Sequence, residues 1–292
     1  MKYKKAVTGL VIIIIVFAAL TTSLGIFSAS GPGNYTYESI RGETVTIYGK
    51  GIYRHMSADV AVQGIAQDYV TLSIGIPLLV IGLLLSRKSS LRGRFLLAGT
   101  LFYFLVTFLF YTCMGMYNYL FLAYVILLAF SFFAFLYTML SFDHGDTVAA
   151  FDKNTPVGFA GSVLIVNAVL VALLWLSVVV PPLLDGSIYP AEVQHYTTLI
   201  VQGLDLGLLL PLAVAAAVLF LKRKPAGFVF APVYIVFLAI LMTSLCAKII
   251  AMGMQGINII PAVFLIPAIQ VTAIVTAFLL LKHIRPKTLN KP

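Results

Sequence analysis

Long apolar runs separated by short polar joints set the pattern of this chain. The runs cover residues 6–27, 69–86, 95–114, 119–142, 157–180, 198–221, 226–252 and 257–281. Each approaches or passes the roughly 20 residues that a helix needs to cross a bilayer. A backbone in lipid must satisfy its own hydrogen bonds, so such runs fold as helices. The pattern therefore predicts an all-α membrane protein, a bundle of eight transmembrane helices. Its parts are the first helix (1–27), a polar cap (28–68), helices two to four (69–142), a polar loop (143–156), helices five to eight (157–282) and a tail (283–292). The run 6–27 is longer than the apolar core of a secretory signal, so it is read as an uncleaved first helix despite the small residues Ser28-Ala29-Ser30.

Within the cap, Gly31-Pro32-Gly33-Asn34 stops the first helix. The β-formers Thr44-Val45-Thr46-Ile47-Tyr48, a turn at Gly49-Lys50-Gly51, and Ile52-Tyr53 predict a short hairpin. Ser57 is placed to cap a short helix through Gln67, with Asp68 as the surface N-cap of the second spanning helix. Asn34-Tyr35-Thr36 matches a glycosylation sequon, a pattern common by chance.

Two stretches echo each other. Gln67-Asp68 leads into an apolar helix with Pro77, and Gln202 and Asp205 lead into one with Pro211. A basic turn, a helix, a Met-Gly-Met turn (114–116 and 252–254) and a last helix follow each. Superposing the prolines sets Asp68 against Gln202 and puts Asp205 about one turn, roughly 5 Å, deeper on the same face. Two four-helix halves of parallel topology are the expectation; such repeats occur in transporters, with sites where the repeats meet.

Composition confirms the class: 61% of residues are hydrophobic and 10% charged, against about 25% charged in globular domains. The net charge of +9 does not point to nucleic acid. Apart from Arg41, Lys50, Arg54 and Lys248, the basic residues fall at the N-terminus, in alternate joints and in the tail. By the positive-inside rule both termini are cytoplasmic, the cap is extracytoplasmic, and a plasma membrane is the expected location. Cys113 and Cys246 lack metal-ligand spacing and read as free thiols, with a disulfide as the other reading.

Asp205 is the one acid placed well inside an apolar run. At membrane depth an acid costs roughly 2.5–3.5 kcal/mol unless paired or wetted. Lys248, at comparable depth, is the expected partner, with Gln202 beside it. Asp205, Gln202, Lys248 and Asp68 are accordingly the candidate substrate- or ion-binding residues; a structural ion pair between helices is the competing reading. Asn167 and Gln270, near mid-depth, read as interhelical hydrogen-bonding groups. His55, Asp59, Glu192 and His195 would form a metal site only if the two outer loops meet. No nucleotide-binding loop, zinc-protease motif or serine-hydrolase elbow occurs, so no cofactor is expected.

The stretches Gln202-Gly203-Leu204-Asp205 to Pro211, and Gln67-Asp68 with Val70-Thr71-Leu72 to Pro77, resemble a group of uncharacterised prokaryotic multi-pass membrane proteins. The likeness covers helices two to eight. It implies a prokaryotic integral membrane protein and brings no activity with it. Three readings stay open: a transporter for a small solute or ion, a membrane scaffold or sensor acting through its cap, and an enzyme at the outer face. The lipid bilayer is the one partner the sequence requires.

Overall fold

The computed structural model describes residues 2–285. Eight long helices are present: α1 (Lys4–Phe27), α2 (Ala58–Arg87), α3 (Leu91–Cys113), α4 (Phe121–Met139), α5 (Val157–Asp185), α6 (Ile200–Leu221), α7 (Gly227–Met254) and α8 (Ala262–Lys282). All eight are long and apolar enough to cross a membrane, the mark of a multi-pass membrane protein. Their outward sides carry large exposed apolar residues such as Leu122, Leu173, Phe264 and Phe278, the surface expected of a chain solvated by lipid.

The N-terminus, the polar joints and the last described residues share one face. Lys4 Nζ donates to the Arg87 carbonyl (3.0 Å), Arg92 to that of Ile284 (2.6 Å), and Arg94 to that of Ser141 (2.9 Å). Arg285 pairs with Asp152 at 3.2 Å. In the 143–156 loop a short helix, His144–Ala150, is capped by the Asp143 carboxylate accepting from the Asp146 N–H.

The opposite face carries the cap, and here the structure departs from expectation. The hairpin pairs β1 (Tyr35–Glu38) with β2 (Thr44–Ile47), antiparallel, with Tyr35 opposite Ile47. The strand that was expected to turn back at residues 49–51 instead pairs upstream. Gly49 and Gly51 hold φ of +69° and +57° in tight approach to Gly33 and Ser28, which frees Ile52 and Tyr53 to turn into the interior. A second departure follows from it. The expected short helix and the second span are one continuous helix, α2, so Asp68 is an interior residue of α2, 1% exposed, and not a surface N-cap.

α3 and α7 are the most enclosed helices and cross at the centre, where a methyl on Gly99 would overlap the Val236 side chain and the Val233 carbonyl. Residues 134 apart adopt matching geometry around them. Five-residue π turns occupy Thr71–Gly75 and Asp205–Leu209, just ahead of Pro77 and Pro211. Each proline lacks an N–H and drives its ring toward the carbonyl four residues back, Ser73 or Gly207; a widened turn makes room for it. Ser89 and Arg223 both take positive φ, +61° and +51°. The bonds Lys88 N–H to Leu84 O, Ser89 N–H to Ser86 O and Ser90 N–H to Leu85 O recur 134 residues later in the 222–224 turn. Gly93 is seated against the backbone of Leu85 and Ser86, as Gly227 is against that of Leu219 and Phe220. Gly99 and Val233, which meet at the crossing, are themselves 134 residues apart. The register slips by one helical turn at the outer ends, because α7 runs through Met252-Gly253-Met254 whereas α3 stops at Cys113.

Candidate functional site

The 30-residue α2 is about 45 Å long, against an apolar slab of about 30 Å. Counting inward from the terminal face, Asp68 and Lys248 fall near the cap-side margin of the slab, with Asp205 about one turn deeper. Three ionisable side chains therefore share one layer.

Asp68 is enclosed completely. Its Oδ2 accepts from the Tyr53 hydroxyl at 2.6 Å and its Oδ1 from Tyr111 at 2.9 Å. Burial, and after it the Asp68 carboxylate, push the Tyr53 phenol well above its usual 10.0, so Tyr53 stays a donor. Two glycines make the slot: a methyl on Gly25 of α1 would overlap the carboxylate, and one on Gly64 would meet the Tyr53 ring. The neighbouring Gln67, 3% exposed, donates to the hydroxyls of Tyr103 (2.8 Å) and Thr107 (3.2 Å). Tyr103 bonds in turn to Thr71 of the π turn (2.8 Å) and to Ser244 of α7 (3.0 Å). This polar ladder joins α2, α3 and α7; Gln67 Oε1 has no partner among the described residues.

Asp205 opens its π turn and is partly buried. Its expected bond to Lys248 is not formed: among the described residues no ion pair within 4.0 Å and no hydrogen bond reaches the Lys248 ammonium. Asp205 Oδ2 instead accepts from the indole N–H of Trp175 on α5, at 2.7 Å. Each acid comes from a different half of the chain. Gln202 makes no described side-chain hydrogen bond and lines a cavity of about 420 Å³ with Arg41, Tyr189, Thr197, Gly203 and Leu206.

Sequence reasoning missed Trp175, Tyr53 and Tyr111. A signal existed for the first: a buried indole N–H seeks an acceptor, and Asp205 is the acid at that depth. The phenols gave none, since Tyr53 arrives from an irregular loop. Of the amides, Gln270 accepts from the Cys246 thiol (3.0 Å) and donates to Thr243 (3.1 Å), joining α8 to α7. Asn167 is buried, with its Oδ1 unpartnered among the described residues. Cys113 and Cys246 are free thiols.

The two outer loops do meet, through other atoms than a metal would need. Arg41 donates to the carbonyls of Gln194 (3.2 Å) and Tyr196 (3.0 Å), and Gln194 donates to Asp59 (3.0 Å). His195 Nε2 lies 3.0 Å from the backbone carbonyl of His55, not from its ring. His55, Asp59, Glu192 and His195 thus do not converge, and among the described residues no three His, Cys, Asp or Glu side chains could hold a metal ion. No family model, curated protein or solved structure matches the chain.

Proposed function

We propose that the protein is a carrier for a small solute or ion, with its site where two parallel four-helix halves meet. One observation carries the reading: Asp205, an acid inside an apolar helix, is held by the Trp175 indole through Oδ2 alone, and among the described residues no ion pair reaches it. Leaving charges at this depth without direct partners is costly. The cost is offset if the layer is wetted and receives a charged ligand. The 134-residue register supports duplication, and sites at repeat interfaces are the habit of duplicated carriers. The basic terminal face supports cytoplasmic termini and an extracytoplasmic cap in a prokaryotic plasma membrane.

The test is flux into liposomes holding purified protein. Asp205→Asn is expected to abolish uptake while circular dichroism and the elution profile stay those of the wild type. Unchanged flux would remove Asp205 from the mechanism.

A second reading has an observation of its own. A cavity of about 520 Å³ lies between the hairpin and the 191–194 segment, lined by Asn34, Glu43, Asp59 and Gln194 among others. Such a pocket suits a sensor or scaffold that binds a ligand through its cap.

A further inference from the structure

The outer turn of α6, Ile200–Leu204, has no buried residue. The turns of α2 ahead of Pro77 are packed instead, burying Gln67 and Asp68. Beside the loose turn, a cavity of about 420 Å³ lies between α6, the outer end of α5 and the 188–199 segment. Its size falls in the range that holds small ligands. Val179 and Leu206 line it from within the spans, and Arg41 and Tyr189 from the polar segments outside them. It therefore straddles the cap-side margin of the apolar slab. Ile188 lines it too and is 82% exposed, and the preceding Leu183 and Leu184 are also exposed. The cavity thus gives onto an apolar surface.

Among the described residues that line it, Arg41 is the one that carries a charge. Its Nη1 donates to the carbonyls of Gln194 and Tyr196, and the Tyr189 ring centre lies 5.2 Å from the guanidinium. All of these partners are neutral, and among the described residues no carboxylate comes within 4.0 Å of it. Nη2 reaches the Thr197 carbonyl only at 3.5 Å, and Nε has no described partner. One edge of the guanidinium fork is therefore open, and that edge matches two oxygens of a phosphate. Thr198 and Gln202 line the same cavity with a hydroxyl and an amide.

We infer that this cavity binds the head of an anionic amphiphile, a phosphodiester lipid of the cap-side leaflet, with its phosphate on Arg41 and its chains leaving past Ile188 into the bilayer. The inference stands apart from the carrier reading. A cation without a counter-ion at headgroup level answers the phosphate, and the apolar flank answers the chains. A soluble phosphate would answer the first alone and leave the Val179 and Leu206 wall without a partner. Asp205 is not part of the lining, and its Oδ2 is held by Trp175, so no carboxylate of the lining opposes the phosphate.

The experiment is thermal unfolding of the full-length protein in a non-ionic detergent, titrated with dioctanoyl phosphatidylglycerol. Dioctanoyl phosphatidylcholine supplies the same chains under a head of no net charge, and glycerol phosphate and inorganic phosphate supply the anion without chains. The anionic lipid is expected to raise the midpoint saturably, and each of the other three to need at least tenfold higher concentration. Arg41→Gln is expected to weaken the anionic lipid tenfold or more and to make the two lipids act alike, with Arg41→Lys losing less. Gly203 lines the cavity and has open space where a side chain would project. Gly203→Phe is therefore expected to fill the cavity, to unfold without lipid within a few degrees of the wild type, and to weaken the anionic lipid tenfold or more. Should Arg41→Gln fail to fold, Gly203→Phe and the contrast of the two lipids on the wild type decide the matter. Equal action of the two lipids on the wild type would overturn the role of Arg41. If either soluble phosphate matches the anionic lipid, the ligand is not an amphiphile and the inference fails. A Gly203→Phe protein that responds as the wild type does would place any lipid elsewhere and overturn the site.

Discussion

At the scale of single residues, Asp68 illustrates how a buried carboxyl group is held. Removing one phenol leaves a carboxylate oxygen without its donor in a sealed place, which costs about 1–3 kcal/mol. Tyr53→Phe is therefore expected to lower stability by that amount in chemical unfolding in detergent. Combining it with Tyr111→Phe should give a non-additive total, because the two share one acceptor. Asp205 offers a spectroscopic counterpart. The chain has a single tryptophan, and its indole N–H bonds to Asp205. Asp205→Ala should shift the emission of Trp175, whereas Asp68→Ala should leave it in place; equal shifts would contradict the geometry. Both acids were legible in the sequence, because a charge in an apolar run stands out. Their partners were not. Tyr53, Tyr111 and Trp175 are ordinary interfacial or apolar residues until the fold brings their polar ends to the acids.

At the scale of elements, the two basic turns make a matched pair. Gly93 and Gly227 each sit against the backbone of the preceding helix, and overpacking such a contact costs about 1–3 kcal/mol. Gly93→Ala and Gly227→Ala should destabilise alike in thermal unfolding. Gly203→Ala and Gly207→Ala, with open space around them, should be neutral or gain up to about 1 kcal/mol from better helix propensity. The polar joint 143–156 adds a pH dependence. Hydrogen bonds from the Asn154 backbone and then from Arg285 hold the Asp152 carboxyl below its usual 3.8. A carboxyl depressed in the folded state stabilises it above the unfolded value and stops doing so as pH falls through the folded one. Protection factors for amide exchange at residues 283–285, corrected for the intrinsic pH dependence of exchange, should thus be steady above about pH 4 and fall below it. The spans themselves were legible because length and hydropathy decide them in lipid. The hairpin was misplaced because Tyr35-Thr36-Tyr37-Glu38 shows no buried alternation: all four residues are exposed, so no hydrophobic period marks a strand.

At the scale of the whole molecule, the bundle and the cap have separate cores. One apolar cluster runs through the helices, while Tyr53, Met56 and Ala61 form a small second one under the hairpin. The echo between the two stretches was legible in their prolines, Pro77 and Pro211. The proline superposition already set the 134-residue offset; the backbone adds π turns, positive φ and turn hydrogen bonds at the same offset. The halves are not equivalent in packing: α2 lies along α7, whereas the outer turn of α6 barely touches α3. The separation of cores lets the two functional readings be tested against each other. Replacing Glu43, Thr44 and Thr46 with alanine strips the polar wall of the 520 Å³ cavity but keeps Arg41 on the 194–197 segment and Tyr53 on Asp68. The bundle should then unfold within a few degrees of the wild type. If the protein is a carrier, flux should persist, since Asp205 and the Arg41-lined cavity beside Gln202 are untouched by these substitutions. Loss of flux in a protein that still folds would move the activity to the cap.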